Sequence, residues 1–271
     1  MIRIELLKLF RRPRTWLTIA LLDALPTLVA VLLAITHIGP RPGQGPAFLS
    51  AVLANGSLFA VAALGIVLPL FLPVAVAVVA GDSIAGEAQG GTLRYLLIRP
   101  VGRTRLLAAK LVAVFVFVCV SVVVVAGTGF LVGRALLGNQ SLGVAVTSVS
   151  GSALTPGQLA VRTLIAVGYV AFSMLGVAAV ALFLSTLTDS ALSASLGALA
   201  ILIASSLLLT IDASRALQPY LPTRYWLSFI DLFRNPILWR NVVRGVALQG
   251  VYVVVLLGAA WANFTTKDIT S

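Results

Sequence analysis

The sequence has few charged side chains and almost none of the residues that bind metals or form disulfides. Asp, Glu, Lys and Arg make up 10% of its 271 residues and hydrophobic residues 60%, whereas a soluble domain carries roughly 25% charged residues. The mean hydropathy is +1.08. A single cysteine excludes a disulfide framework and a cysteine-based zinc site. This composition predicts an integral membrane protein.

Long runs without charge predict that helices, not barrel strands, cross the membrane. Five such runs equal or exceed the roughly 20 residues that an apolar helix needs to cross a bilayer: Pro42–Gly81, Leu111–Gly133, Thr163–Thr188, Ser190–Ile211 and Gly245–Thr266. A sixth, Thr15–Pro40, is interrupted only by Asp23. The runs lack the alternation of a barrel strand. We therefore expect an all-α, single transmembrane domain over residues 1–271 with six spans, the second kinked at Pro69 and Pro73.

A nucleotide-binding motif is also lacking. A P-loop needs the pattern GxxxxGK[ST], and none of the three lysines, Lys8, Lys110 and Lys267, follows a glycine. The net charge of +11 lies in blocks between spans, which favours lipid headgroups or an acidic partner over nucleic acid.

Residues 1–14 have the pattern of an amphipathic helix that lies in the membrane interface. The apolar residues on one arc are Ile2, Leu6, Leu9 and Phe10, and Lys8, Arg11 and Arg12 lie elsewhere. Five residues define this candidate interfacial helix and its anchor: Glu5, Lys8, Arg11, Arg12 and Trp16. A solvated tail is the alternative.

The distribution of Lys and Arg predicts that both termini are cytoplasmic. Residues 1–14 and 81–110 each contain five basic residues, against one and two in the loops expected outside. Residues 212–244 also contain five arginines. Their many aromatic residues nevertheless favour an outer interfacial segment.

Residues 81–110 form the most polar internal segment, and their glycines and capping residues predict a folded elbow. Asp82 is expected to cap a short helix, Gly90 and Gly91 to end it, Thr92 to cap a second helix and Thr104 the next long one. A simple connection would be shorter.

This segment resembles the permease subunits of type-2 ABC exporters. The matching positions are Asp82, Gly86, Glu87, Gly91, Thr92, Leu93, Arg99, Pro100, Arg103 and Lys110, and in the first helix Glu5, Lys8, Arg11, Pro13 and Trp16. The resemblance implies that this chain is non-catalytic and that its coupling helix docks on a separate ATPase subunit. Two copies of that ATPase are implied, and they bind ATP and Mg²⁺. It also implies pairing with a second copy of this permease or a homologous one.

The candidate ATPase-coupling residues follow from that resemblance. They are Asp82, Glu87, Gly91, Thr92, Arg94, Arg99, Pro100, Arg103 and Asp189. We expect Glu87 and Arg94 to project from the elbow. An internal set of ion pairs that only shapes the elbow is the alternative, and for Asp189 the simplest role is to cap the fifth span.

Polar and small residues within the spans suggest a transport route. The candidates are Asp23, Thr27, Ser193 and Gly197, on the first and fifth spans that the resemblance places at a dimer interface. A carboxylate inside a span is costly and therefore a candidate functional group. Asp23 can alternatively be hydrated or paired with an arginine of residues 1–14, and His37 is expected at the outer interface.

The nearly uncharged spans favour export of a hydrophobic or amphipathic substrate from a bacterial plasma membrane. An ion-coupled secondary transporter is an alternative for which only Asp23 offers a coupling site. A permease that transmits force to an extracytoplasmic partner is another. A membrane enzyme would need clustered carboxylates or histidines, which the sequence lacks.

Overall fold

The computed structural model describes residues 1–36, 56–91, 102–137, 146–147 and 153–266. These residues are mainly helical. The helices are α1 (Ile2–Arg11), α2 (Pro13–Thr36), α3 (Phe59–Val67), α4 (Phe71–Gln89), α5 (Arg103–Leu136), α6 (Pro156–Leu187), α7 (Ala191–Leu208) and α8 (Trp239–Thr266). Short 3₁₀ helices cover Gly56–Leu58, Asp212–Ser214, Gln218–Tyr220 and Trp226–Phe233. Two-residue strands β1 (Val146–Thr147) and β2 (Ala153–Leu154) pair antiparallel.

Six of these helices are long and apolar enough to span a membrane: α2, α4, α5, α6, α7 and α8. The prediction of an all-α membrane protein with six spans is confirmed. The second span is interrupted, because α3 ends at Val67 and α4 begins at Phe71. Pro69 lies within this break and Pro73 in the first turn of α4, as expected for residues that lack a backbone donor.

The central helices are α4, α5 and α6, with α3 packed among them. In α6, 67% of the most apolar window is buried, against 28% in α2 and α7 and 17% in α8. Helix α3 is buried almost completely, and Gly129 of α5 approaches it so closely that a Cβ would stand 2.9 Å from that of Ala63. The peripheral helices α2, α7 and α8 therefore leave wide apolar faces uncovered.

Two helix ends differ from the sequence prediction. Asp82 does not cap a new helix, because α4 continues unbroken from Phe71 to Gln89. Helix α5 begins after Gly102 and has no side-chain cap, whereas Thr104 accepts a hydrogen bond from the Trp261 indole at 2.9 Å. Gly90 and Gly91 do end α4, and Gly91 has φ +67°, a conformation that favours glycine.

The segment between α7 and α8 folds back against the bundle. Trp226, Phe229 and Phe233 are buried, and the helix that contains them packs on α6 and α8. Tyr220 and Trp239 are 68% and 50% exposed. The aromatic residues of this segment thus divide between the protein interior and its surface.

Candidate functional site at the elbow end

Four parts of the chain meet at one end of the bundle, which we call the elbow end. They are α1 with the start of α2, the last turns of α4 from Gly81 to Gly91, the start of α5 from Gly102 to Lys110, and the link between α6 and α7 with the first turns of α7. The segment Leu209–Leu238 lies at the opposite end, which we call the far end. Every described residue predicted to contact the ATPase belongs to the elbow end.

Four charged residues form a compact cluster between α1, α4 and α5. The ammonium of Lys110 lies 2.7 Å from Glu87 Oε2 and 3.6 Å from Glu5 Oε2. Lys8 lies 3.1 Å from Glu87 Oε1 and 3.6 Å from Glu5 Oε1. Two cations and two anions therefore alternate, so the cluster is formally neutral. We call Glu5, Lys8, Glu87 and Lys110 the four-charge cluster.

Lys110 lies at the centre of this cluster and is 2% exposed. Besides its two carboxylates, its Nζ donates to the main-chain carbonyl of Ser83 at 2.5 Å. A buried ammonium is tolerated when it is paired and hydrogen-bonded in this way. The sequence placed Lys110 among the family positions but gave no signal of its partners, which lie on two other helices.

Glu87 does not project from the elbow, contrary to the sequence expectation. It is 8% exposed and directed at Lys8 and Lys110. For this residue the alternative interpretation, an internal ion-pair set that shapes the elbow, agrees with the structure. Arg94, with which it was expected to project, lies outside the described residues.

Asp82 connects α4 to the junction of α1 and α2. Its Oδ2 accepts hydrogen bonds from Arg12 at 3.0 Å and from Arg14 at 2.6 Å. Two cations on one carboxylate leave this half-exposed group with a local positive charge. Asp82 therefore links the last turns of α4 to the junction of α1 and α2.

The carboxylates of the four-charge cluster change the pKa of Lys8. Partial burial acts to lower the pKa of Lys8, but its hydrogen bond to Glu87 and the negative charges of Glu87 and Glu5 outweigh that effect. The pKa of Lys8 is consequently raised above its usual range. Lys8 is thus held in its charged form.

Arg103 binds the end of α8. Its Nη1 donates to the carbonyls of Phe264 at 3.3 Å and Thr265 at 2.9 Å. Carbonyls of a last helical turn lack partners within the helix, and a cation there also complements the helix dipole. Arg103 therefore ties α5 to α8, in addition to any contact with an ATPase.

The link between α6 and α7 presents Asp189 at the surface. The cap of α7 is Ser190, not Asp189, because the Ser190 hydroxyl accepts from the Ser193 N–H at 3.3 Å. The carboxylate of Asp189 is therefore not used as the cap. Of the other candidates, Thr92, Arg94, Arg99 and Pro100 lie outside the described residues.

Several apolar side chains of α1 are exposed, among them Ile2, Ile4 and Leu7. The carboxylate of Glu5 is buried in the four-charge cluster. Trp16 is exposed at the start of α2, and its indole donates to the carbonyl of Phe10 at 2.8 Å. Arg11 and Arg12 are exposed beside it. The position of α1 in the membrane interface stays a prediction.

A cavity of about 630 Å³ opens beside the four-charge cluster. Its lining includes charged residues, such as Lys8, Arg12 and Asp82, and apolar residues, such as Val79 and Leu192. It lies between the start of α2 and the start of α7.

The candidate route residues lie on two helices that scarcely touch within one chain. Asp23 accepts a hydrogen bond from the Thr128 hydroxyl of α5, and is not paired with Arg12 or Arg14, which bind Asp82. Thr27 is half-buried on α2, while on α7 Ser193 is exposed and Gly197 half-buried. The packing of α2 and α7 against each other is slight. One chain alone does not bring the four residues together, and His37 lies outside the described residues.

Within the part of the chain that the structure describes, no three His, Cys, Asp or Glu side chains are grouped so that they could hold a metal ion.

The comparison with known families follows this geometry. Residues 1–201 match the family described as ABC-2 family transporter protein. The chain belongs to this family. No curated protein matches the chain significantly. As a member, this chain is a multi-pass membrane subunit of an ABC transporter, a class that pairs with an ABC ATPase subunit.

Proposed function

We propose that the chain is the permease of an exporter driven by ATP that a separate ABC ATPase hydrolyses. The family match over residues 1–201 is the observation on which this proposal depends. The sequence supports it because no P-loop precedes any lysine. ATP and Mg²⁺ would therefore bind to the partner, and this chain would have no catalytic residue of its own.

The elbow end is the proposed docking surface for the ATPase. Helix α4 runs unbroken from the membrane-spanning part into the elbow, so a push on the elbow moves the second span directly. The four-charge cluster holds this extension against α1 and α5. Glu87 and Asp82 would then act as positioning residues, while Asp189 on the α6–α7 link would contact the ATPase.

The proposed assembly has two permease chains and two ATPases. Helices α2 and α7 support it because their most apolar windows are only 28% buried. Asp23, Thr27, Ser193 and Gly197 would meet across the interface between two chains. Two such chains present two elbows, which matches the two ATPase subunits expected in a symmetric assembly.

The proposed substrate is hydrophobic or amphipathic. The cavity between α2 and α7 supports this, since its lining contains both charged and apolar residues and it lies beside the proposed route. The proposed location is the plasma membrane of a bacterium, with the elbow end and both termini in the cytoplasm.

Co-expression with ABC ATPases of the source genome tests the assembly. The expected result is a purified complex whose mass equals two permeases and two ATPases, with ATPase activity in lipid nanodiscs. A permease that stays monomeric beside an active ATPase would overturn the arrangement. Substrate movement that follows a proton gradient without ATP would favour a secondary transporter.

Single cysteines test the orientation, in a Cys119→Ser background. Asp189→Cys at the elbow end should react with a membrane-impermeant maleimide only from the cytoplasmic side. Arg215→Cys at the far end should react only from the outside. The reverse pattern would contradict the proposed topology.

A further inference from the structure

Ser185 of α6 makes three hydrogen bonds to the backbone of α4. Its hydroxyl oxygen accepts from the N–H groups of Ile84 at 3.2 Å and Ala85 at 2.8 Å. The same hydroxyl donates to the carbonyl of Gly81 at 2.7 Å. Ser185 is 1% exposed. One small side chain thus fulfils both its donor and its acceptor capacity on a neighbouring helix.

These contacts lie on a single turn of α4, from Gly81 to Ala85. An uninterrupted helix joins the N–H of Ala85 to the carbonyl of Gly81, four residues earlier. Here the Ser185 hydroxyl bridges the same two groups. Helix α4 stays α-helical through this turn. Gly81 and Ala85 lie where the spanning part of α4 becomes the elbow.

Helix α7 touches the same turn of α4. A Cβ at Gly81 would stand 3.0 Å from the backbone nitrogen of Ser195 and 3.2 Å from its Cα. At the end of α4, Gln89 Oε1 accepts from the N–H of Ala191 at 3.4 Å. Helix α4 packs far more extensively on α6 and α7 than on α2 or α5.

The ion pairs at the elbow and the hydrogen bonds of Ser185 differ in how much helix movement they tolerate. The ammonium and guanidinium groups of Lys8, Arg12 and Arg14 sit on long flexible stems, so these ion pairs tolerate small shifts between helices. Ser185 has one rotatable side-chain bond and binds main-chain atoms. A shift of α4 relative to α6 would break those bonds in a buried site, where unpaired polar groups are costly.

From this geometry we propose that Ser185 is a positioning residue that locks the elbow half of α4, Gly81–Gln89, to α6 and α7. The elbow, α6 and the start of α7 then move as one body, and force received at the elbow reaches α7 and its proposed dimer interface directly, in addition to the path along α4. This inference rests on the proposed function, because it names the path by which that function operates.

A crosslink tests whether the elbow and α7 move together. Gln89→Cys and Ala191→Cys are combined in a Cys119→Ser background and joined with a short bifunctional methanethiosulfonate. The crosslinked permease in complex with its ATPase should keep the ATPase activity of the uncrosslinked complex. The two single-cysteine variants treated with the same reagent are the matched controls. Loss of activity only in the crosslinked variant would show relative motion and overturn the proposal.

Hydrogen exchange on the permease alone tests the lock without an ATPase. Ser185→Ala should raise the exchange rate of the 81–89 peptide about five- to tenfold, since its amides lose buried partners. Ser185→Cys keeps an atom at the γ position, although a larger one, but bonds weakly, and should behave like Ser185→Ala. Ser121→Ala is the matched control, because this equally buried serine of α5 has no hydrogen-bond partner among the described residues.

The outcomes separate the two hypotheses. Unchanged exchange in both Ser185 variants would overturn the lock, whatever the ATPase does. Wild-type permease that never associates with an ATPase would instead overturn the proposed function. Faster hydrogen exchange in Ser185→Ala would in that case still establish that Ser185 locks α4 to α6. If both variants exchange faster, the complex with Ser185→Ala should also hydrolyse ATP with less transport per ATP than wild type.

Discussion

The elbow end and the far end of the bundle are stabilised by different chemistry. At the elbow end, straight helices meet through paired charges, with Lys110 buried between Glu5 and Glu87. At the far end, side chains of regular helices donate to main-chain carbonyls of an irregular segment. Charge pairs orient rigid elements against one another, whereas donors to carbonyls support backbone that has no regular partners of its own.

The far-end contacts show this second pattern clearly. Arg162 Nη1 donates to the carbonyls of Leu232 at 3.0 Å and Arg234 at 2.9 Å. Tyr169 donates to the carbonyl of Tyr225 at 2.6 Å and Gln249 to that of Pro222 at 2.6 Å. Non-helical backbone is tolerated in a membrane protein where protein covers it in this way. Under the proposed function, the elbow end would transmit movement and the far end would maintain a fixed shape.

Lys110→Met should produce the largest loss of stability. It removes the buried cation that lies between Glu5 and Glu87, and breaking a buried ion pair costs about 3–5 kcal/mol. Thermal denaturation in detergent measures the effect. Arg215→Met is the control, because Arg215 and Asp212 form an exposed pair whose loss should change little. Equal melting temperatures for the two variants would contradict the burial of the cluster. Adding Glu87→Gln to Lys110→Met should recover part of the loss.

Arg162→Met should have the next largest effect, and it should be confined to the far end. Two carbonyls lose a charged donor in a buried site, which costs about 2–3 kcal/mol. Peptides that cover residues 218–238 should exchange hydrogen faster, while the 81–89 peptide stays protected. Exchange that rises equally at both ends would contradict the view that the two ends are stabilised independently.

Asp82→Asn should have a smaller and salt-dependent effect. Its partners Arg12 and Arg14 are half-exposed or more, and such pairs contribute about 1 kcal/mol or less. High salt should reduce the difference from wild type, since ions screen exposed charges. Melting temperatures at low and high salt measure this. A loss as large as that of Lys110→Met would show that the junction of α1 and α2 depends mainly on Asp82.

The pH dependence from Lys8 should be the smallest effect. The folded-state pKa of Lys8 is raised, so its stabilisation is fully present below its ordinary value of 10.5 and is lost as the pH rises through the folded-state pKa. Wild type should therefore lose more stability than Lys8→Met between pH 10 and more alkaline conditions. Parallel melting curves for the two proteins would contradict the raised pKa.

Much of the fold could be predicted because it depends on local properties of the chain. The length of the apolar runs determines the spans. Pro69 and Pro73 determine the break in the second span, and Gly90 and Gly91 determine the end of α4. The continuation of α4 through Asp82 was missed, because Asp, Ser and Gly in sequence favour a cap or turn and the packing of α6 and α7 overrides that preference.

The partners at the elbow end could not be predicted from one sequence. Glu5 and Lys110 lie 105 residues apart in the chain, and nothing in their neighbourhoods indicates that α1 and α5 cross there. Ser185 was missed for the same reason, since a serine in an apolar helix has many possible partners. The small residues Gly81 and Ser195 are a signal of close helix approach that could have been used.

Site-specific photocrosslinking tests most directly whether the elbow end receives the ATPase. A benzophenone amino acid replaces Asp189 at the elbow end or Arg215 at the far end, and both positions are exposed. In membranes that contain the co-expressed ATPase, the derivative at position 189 should crosslink to it and the one at position 215 should not. Crosslinking to the ATPase from position 215 alone would contradict the account.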